Sequence, residues 1–208
     1  MNKPTSQSSI HWMAKTPAKD KIIAAAQELM RSQGYSATTV DSIVKAAGVS
    51  KGSFYHAFAS KQALAEAALE DWAVRGWWEI ASGPYRQVYD PVERALQFID
   101  YIQQKSDSLW ARGSLLGSVA VEVAESYPAM QARIAALYVQ LEDEFVAILE
   151  PALSSAEVTE ISPRDVAAQL LASIEGAIIC ARTQGDAQYV RRCLIQFRHY
   201  LALLLKTK

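Results

Sequence analysis

Between Ser50 and His56 the chain reads Ser-Lys-Gly-Ser-Phe-Tyr-His, residue types that suit contact with a nucleic acid better than catalysis. A helix that reads base edges must present small and polar side chains at its N-terminal end, because bulk there holds it off the groove floor. Lys51, Gly52 and Ser53 meet that demand. Gly52 permits close approach, Lys51 can reach a guanine edge or a phosphate, and Ser53 can donate or accept. Tyr55 and His56 are aromatic with polar tips, fitted to phosphate oxygens flanking a groove. Thr39 and Ser50 are expected at helix N-termini, where free N–H groups and the helix dipole favour phosphate, although a plain capping role also accounts for them. Lys61 opens the following helix and is expected to grip the same strand. Catalytic chemistry finds no comparable support. The sequence holds no phosphate-cradling glycine loop, no nucleophile elbow and no supported carboxylate pair, and His11, His56 and His199 lack metal-ligand spacing. No enzyme activity, metal or cofactor is expected.

These residues need a scaffold, and apolar periodicity supplies one. Ile22, Ile23, Ala26, Leu29 and Met30 form one stripe of a helix over about 17–33, with Gly34 where a left-handed cap belongs. Thr39 caps a short second helix whose inner face is Val40, Ile43, Val44 and Ala47, and Gly48 stops it. Val49 is the expected buried turn residue. Ser50 caps a third helix, 51–57, turned inward by Phe54 and Phe58. Two short helices joined by a tight glycine-containing turn make a helix-turn-helix. Further helices are expected over about 61–80, 91–104 behind an Asp90-Pro91 cap, 113–125, 128–149 with Pro151 as its stop, 163–184 and 186–205. No stretch alternates with period two for long enough to be a strand. The sequence predicts an all-α protein of about nine helices. A disordered tail would occupy 1–14, a helix-turn-helix DNA-binding domain 15–62, and a helical ligand-binding and dimerisation domain 63–208.

Charge is distributed to match. The chain has 21 basic and 22 acidic residues, a net charge of −1. Residues 1–61 hold eight Lys or Arg against three Asp or Glu, so the remainder carries 13 basic and 19 acidic groups. A basic head on an acidic body is the asymmetry expected when one end meets phosphate. Cys180 and Cys193 are the only two cysteines, too few for a disulfide framework. The first residues lack a signal-peptide core and no apolar run has membrane-span length, so a cytoplasmic protein without a membrane partner is expected.

Over 17–64 the sequence resembles the TetR family of regulators. The resemblance rests on Ile22-Ile23-Ala24-Ala25-Ala26, Leu29, Gly34-Tyr35, Ala37-Thr38-Thr39-Val40 and Ile43. It continues through the run from Ala46 to Phe58, then Ser60-Lys61 and Leu64. Ala57 is smaller than the bulky residue often found there in the family, which puts one backbone contact in doubt. The resemblance implies a homodimer that binds a palindromic DNA operator, most commonly as a repressor, and releases it on binding a small-molecule effector. Activation and thiol redox sensing through Cys193, which Arg191 and Arg192 flank, are the alternatives. A second patch, Gly113-Ser114-Leu115-Leu116-Gly117-Ser118 with Glu122 and Pro128, is similar to a subgroup that often reads Gly-Cys-Leu-Leu-Gly-Asn. Ser114 stands where that cysteine would be, so thiol sensing at that position is excluded.

The body offers two further surfaces. Aromatic residues are frequent between 72 and 138, and aromatic-lined bundles make good cavities. A ligand cavity is expected among Trp78, Phe98, Tyr101, Trp110, Leu115, Ser118, Glu122 and Tyr138, with Ser114, Ser118, Glu122 and Glu175 as polar pointers. Ala168, Leu171, Ala172, Gly176 and Ile179 form a small-residue stripe around Glu175. Cys193, Phe197, Tyr200, Leu201 and Leu204 supply a matching ridge. Together they are the expected dimer interface.

Overall fold

The stripe beginning at Ile22 folds as α1, Pro17–Gln33, and Gly34 closes it with a φ of +88°. The computed structural model describes residues 17–110 and 112–206, and the tail predicted over 1–14 lies outside them. Thr39 caps α2, Val40–Ala47, through a reciprocal pair. Its hydroxyl accepts from the Ser42 N–H at 3.1 Å, and the Ser42 hydroxyl oxygen accepts from the Thr39 N–H at 3.1 Å. Ser50 caps α3, Lys51–Ala57, accepting from the Ser53 N–H at 3.0 Å, and Phe54 and Phe58 are buried beneath it. Ser60 caps α4, Lys61–Ala81, so the boundary expected at 62/63 falls within the first turn of that helix.

A short 3-10 turn, Pro84–Gln87, leads to α5, Pro91–Gln104, capped by Asp90. Then come α6, Ser106–Trp110; α7, Leu115–Val123; α8, Pro128–Ser155; α9, Pro163–Gln184; and α10, Tyr189–Leu204. The nine predicted helices are all present, joined by the two short segments at 84–87 and 106–110, and no strand occurs among the described residues. Pro151 does not stop α8. Proline removes one helical donor, but here it sits on the solvent side. Ala152 and Leu153 just beyond it are buried, and that packing carries the helix another turn.

Two apolar clusters fill the molecule. One joins the interior of α1–α3 and the first half of α4 to Leu116, Val119 and Val123 of α7 and to Ile134 and Leu137 of α8. The other collects Ile80, Tyr85, α5, the second half of α8, α9 and α10. The head therefore shares a core with α7 instead of hanging from a linker. Helix α9 has the length and apolarity of a membrane span; Val166, Leu170, Ile174 and Ile178 bury one of its sides in the second cluster.

Candidate nucleic-acid interface and the body behind it

On α3 the buried Phe54 and Phe58 fix which side chains must face outward. Lys51, Gly52, Tyr55 and His56 are all exposed, and Tyr55 is 58% exposed although its ring packs edge-on against Phe54 at 5.1 Å. A Cβ at Gly52 would meet only the Ser50 hydroxyl at 3.6 Å, so the surface there is open. Ser53 is half-buried and shares a hydrogen bond with the Ser50 hydroxyl at 3.0 Å. The Lys51 ammonium lies 2.7 Å from Asp41 of α2, and that contact raises its pKa. Both partners are solvated, and such pairs are weak enough for a phosphate to displace the carboxylate. The sequence-predicted Thr39, Ser50, Lys51, Gly52, Ser53, Tyr55 and His56 thus share the two helix N-termini and the outer face of the helix-turn-helix.

Lys61 does not join them. Its ammonium donates to the Tyr35 and Thr38 carbonyls, both at 3.0 Å, and lies 4.2 Å from the centre of the Tyr35 ring. Burial lowers its pKa. Two carbonyls and a ring hold the charge inside the α1–α2 turn, so Lys61 pins the head together and does not reach toward a strand.

Behind the head, the eight residues predicted to line a cavity are dispersed. Trp78 is 75% exposed on the outer side of α4. Phe98 is fully buried between Tyr85 and Phe145 as ordinary core, and the Tyr101 hydroxyl donates to the Glu79 carbonyl at 2.9 Å. Leu115 is buried in the head-side cluster, and Ser118 faces Arg182 at 3.4 Å. Glu122 is committed to the head: its carboxylate accepts from the Tyr35 N–H at 3.0 Å and the Ser36 N–H at 2.8 Å. Gly34 makes that approach possible, because a Cβ there would collide with the carboxylate. Arg182 of α9 adds a second tie, donating to the Arg31 carbonyl at 3.2 Å.

Ser118 borders an open pocket of about 310 Å³ between α7 and α9 with Glu175 and Arg182, whereas Trp110 lines a smaller one and Tyr138 meets Glu175 beside it. A cavity of about 40 Å³ lies at the seam between the two clusters, lined by Trp72, Trp77, Trp110, Phe145 and Glu175 among others. Helical spacing would have found the tryptophans. Ala73, Trp77 and Ile80 recur at four and three residues and share a face, which Trp78 leaves by about 100°. Glu175 receives the Ser114 hydroxyl at 2.8 Å and the Tyr138 hydroxyl. The Ser114 oxygen also accepts from the Gly117 N–H at 3.0 Å as the N-cap of α7. Gly117 leaves space for the carboxylate, which a Cβ would fill.

Burial pushes the Glu175 carboxyl above its ordinary range, outweighing the two hydroxyl donors, and both burial and Glu175 itself raise the Tyr138 phenol. A carboxyl with a raised folded-state pKa favours the fold when protonated. Its contribution falls as pH climbs from the ordinary carboxylate value through the raised one. Glu175→Gln is therefore expected to melt higher than the parent at pH 7.5, with the advantage shrinking toward pH 4. A difference in melting temperature that stays flat across that range would remove the burial argument.

The predicted dimer residues divide by depth. Leu201 is fully buried within the chain's own core, and Leu171 and Phe197 nearly so; they pack α9 and α10 on the body and have little surface to offer a partner. Ala172, Gly176 and Ile179 are exposed, and Ala168, Cys193, Tyr200 and Leu204 are half-buried. An open groove of about 800 Å³ runs between α9 and α10, lined by Ala172, Gly176, Cys180, Cys193 and Tyr200 among others. The Cys193 thiol is pushed up by burial and by neighbouring Cys180, the opposite of an activated thiolate. Arg192 pairs instead with Asp186 at 2.5 Å.

Comparisons with known proteins agree with this geometry. Residues 22–68 match the family profile "Bacterial regulatory proteins, tetR family", and residues 91–196 match "Transcriptional regulator LmrA/YxaF-like, C-terminal domain". The HTH-type transcriptional repressor DhaR of Mycobacterium sp. (strain GP1) is 27% identical over 177 residues, 85% of this chain and 88% of that one. The regulator UidR of Escherichia coli is 32% identical over 94 residues, 45% of this chain and 43% of its own. A solved TetR regulatory protein from Rhodobacter sphaeroides superposes with a TM-score of 0.77 at 22% identity, covering 88% of this chain and 98% of that one. A TetR family regulator from Agrobacterium tumefaciens gives 0.76 at 22% identity, covering 89% and 98%. Helix-turn-helix, outward-facing α3 and profile matches along both parts of the chain lead to one conclusion: this protein belongs to the TetR family of DNA-binding transcriptional regulators, which are not enzymes.

Proposed function

We propose that the chain is a cytoplasmic repressor that acts as a homodimer on a palindromic operator and leaves it when a small molecule enters the body. The outward surface of α3, with Lys51, Gly52, Tyr55 and His56 exposed together above buried Phe54, carries the DNA-binding part of this reading. One such head covers too few base pairs for useful specificity. Two heads about 34–36 Å apart read both halves of a palindrome. The exposed small residues Ala172 and Gly176 beside the α9–α10 groove favour close approach of a second copy. Repression, not activation, is favoured by DhaR, which is named a repressor. The raised Cys193 thiol speaks against redox sensing there.

Release requires only differential affinity. A hundredfold weaker complex corresponds to about 2.7 kcal/mol of coupling between effector and DNA. Opening of the seam cavity would tilt α4, which spans both clusters, and shift α7, whose Glu122 grips the head. Both motions change the spacing of paired heads.

Selection from a random duplex library tests the reading. Enrichment of a two-fold symmetric site, with affinity falling steeply as salt rises, is the expected result. A monomer that enriches no symmetric site would overturn it. Gly176→Arg places a charge against the proposed partner and is expected to raise the dimer dissociation constant at least about tenfold by analytical ultracentrifugation. An unchanged sedimentation profile would move the interface elsewhere.

A further inference from the structure

Glu175 is a half-buried acid that lines the apolar seam cavity and also an open pocket bordered by Ser118, Arg182 and Thr183. Its polar partners are the hydroxyls of Ser114 and Tyr138, and no Lys, Arg or His pairs with it among the described residues. Arg182, two turns along α9, turns its guanidinium to the Arg31 carbonyl and the Ser118 hydroxyl instead. The rest of the seam cavity's lining is apolar, with the indoles of Trp72, Trp77 and Trp110 and the Phe145 ring set among aliphatic side chains.

Each feature selects the same guest chemistry. Indole faces attract a cation through the ring quadrupole, and a carboxylate in low-dielectric surroundings attracts it more strongly than in water. A neutral guest without a hydrogen-bond donor would desolvate the carboxylate without supplying a partner, one with a donor would leave the charge uncompensated, and an anion would be repelled. Two hydroxyl donors leave further lone-pair positions on the carboxylate open. We propose that the effector is an organic cation, a protonated or quaternary amine on an apolar body, seated between Glu175 and the tryptophans of the seam cavity. The inference rests on the effector-cavity reading given above and names its ligand class.

The site is also connected to the head. At about 40 Å³ the cavity has room for little more than a water molecule, so an amine must part the two clusters to enter. The carboxylate that would meet the amine also holds Ser114, the N-cap of α7, and the same helix carries Glu122 against Tyr35 and Ser36. A cation drawing Glu175 away from Ser114 loosens the start of the helix that grips the head.

The test uses the full chain and two probes of equal shape, benzyltrimethylammonium and its uncharged carbon isostere neopentylbenzene, titrated by tryptophan fluorescence. The cation is expected to bind at least about tenfold more tightly than the isostere. Glu175→Gln is expected to erase that preference. Equal affinities in the parent protein would overturn the charge inference and leave the cavity as an effector site for neutral ligands. Binding of neither probe would remove the cavity reading together with this one. Should Glu175→Gln fail to fold, the comparison of the two probes on the parent protein decides alone.

Discussion

Replacing Lys51 and Tyr55 together by alanine is expected to weaken operator binding at least about a hundredfold, roughly 2.7 kcal/mol, while the fold survives. Both side chains are exposed on α3, so their loss removes little packing beyond the Tyr55 edge contact with Phe54. A base-edge contact from Lys51 typically contributes about 1–3 kcal/mol, and loss of the Tyr55 contact to phosphate adds to it. If Lys51 meets a phosphate, the slope of log affinity against log salt should also fall by roughly one unit for each chain. A gel-shift titration at several salt concentrations checks both numbers. Lys51 is held by Asp41 in the free protein, so Asp41→Asn serves as the counter-test. Freeing the ammonium and removing a like charge from the DNA face should tighten binding. A double-alanine protein that binds the selected duplex as well as the parent would end the assignment of α3 as the reading helix.

Glu122→Ala should release the head from the body. The carboxylate accepts two backbone N–H groups from a segment 87 and 86 residues away in the chain, and hydrogen bonds to a charged group contribute about 1.5–3 kcal/mol each when buried. The site is only part-buried, so about 2 kcal/mol in total is the appropriate expectation. Hydrogen exchange reads this locally: the Tyr35 and Ser36 amides should exchange roughly thirtyfold faster, since 2 kcal/mol of lost protection corresponds to that factor. Amides in α5 and α10 should be unaffected. Glu122→Gln keeps an acceptor and should recover part of the protection. Gly34→Ala approaches the same contact from the other side, because its Cβ would strike the carboxylate at a φ of +88°. Unchanged Tyr35 and Ser36 exchange in Glu122→Ala would mean that the two N–H groups find other partners and that α7 does not hold the head.

Glu122 also marks the division between what could be read from residues in order and what could not. On its own helix it is a carboxylate among Val119, Val121 and Val123, which reads as a polar group entering an apolar cavity. Its actual partners lie on the α1–α2 turn, and no local pattern announces them. Lys61 failed for the same reason: as the first residue of a helix in a basic segment it reads as a phosphate ligand, whereas two carbonyls from 23 and 26 residues upstream hold it. Trp78 was avoidable, since its neighbours at 73, 77 and 80 already define the inner face of α4.

The amino-acid order by itself determined the helices, their caps and the outward face of α3, because these depend on contacts three or four residues apart and on side-chain donors within one turn. It therefore carried the family, the capping roles of Thr39 and Ser50, and the exposure of Lys51, Gly52, Tyr55 and His56 on α3. Tertiary packing alone decided which polar groups in the body are bound to one another. Glu175 meets Ser114 across 61 positions, and Arg182 meets Arg31 across 151. An acid bound by hydroxyls beside a cavity and a strut between body and head have the same local signature, a charge on a mostly apolar helix. Only the position of the opposing helix distinguishes them, since the free energy of a buried charge depends on what faces it.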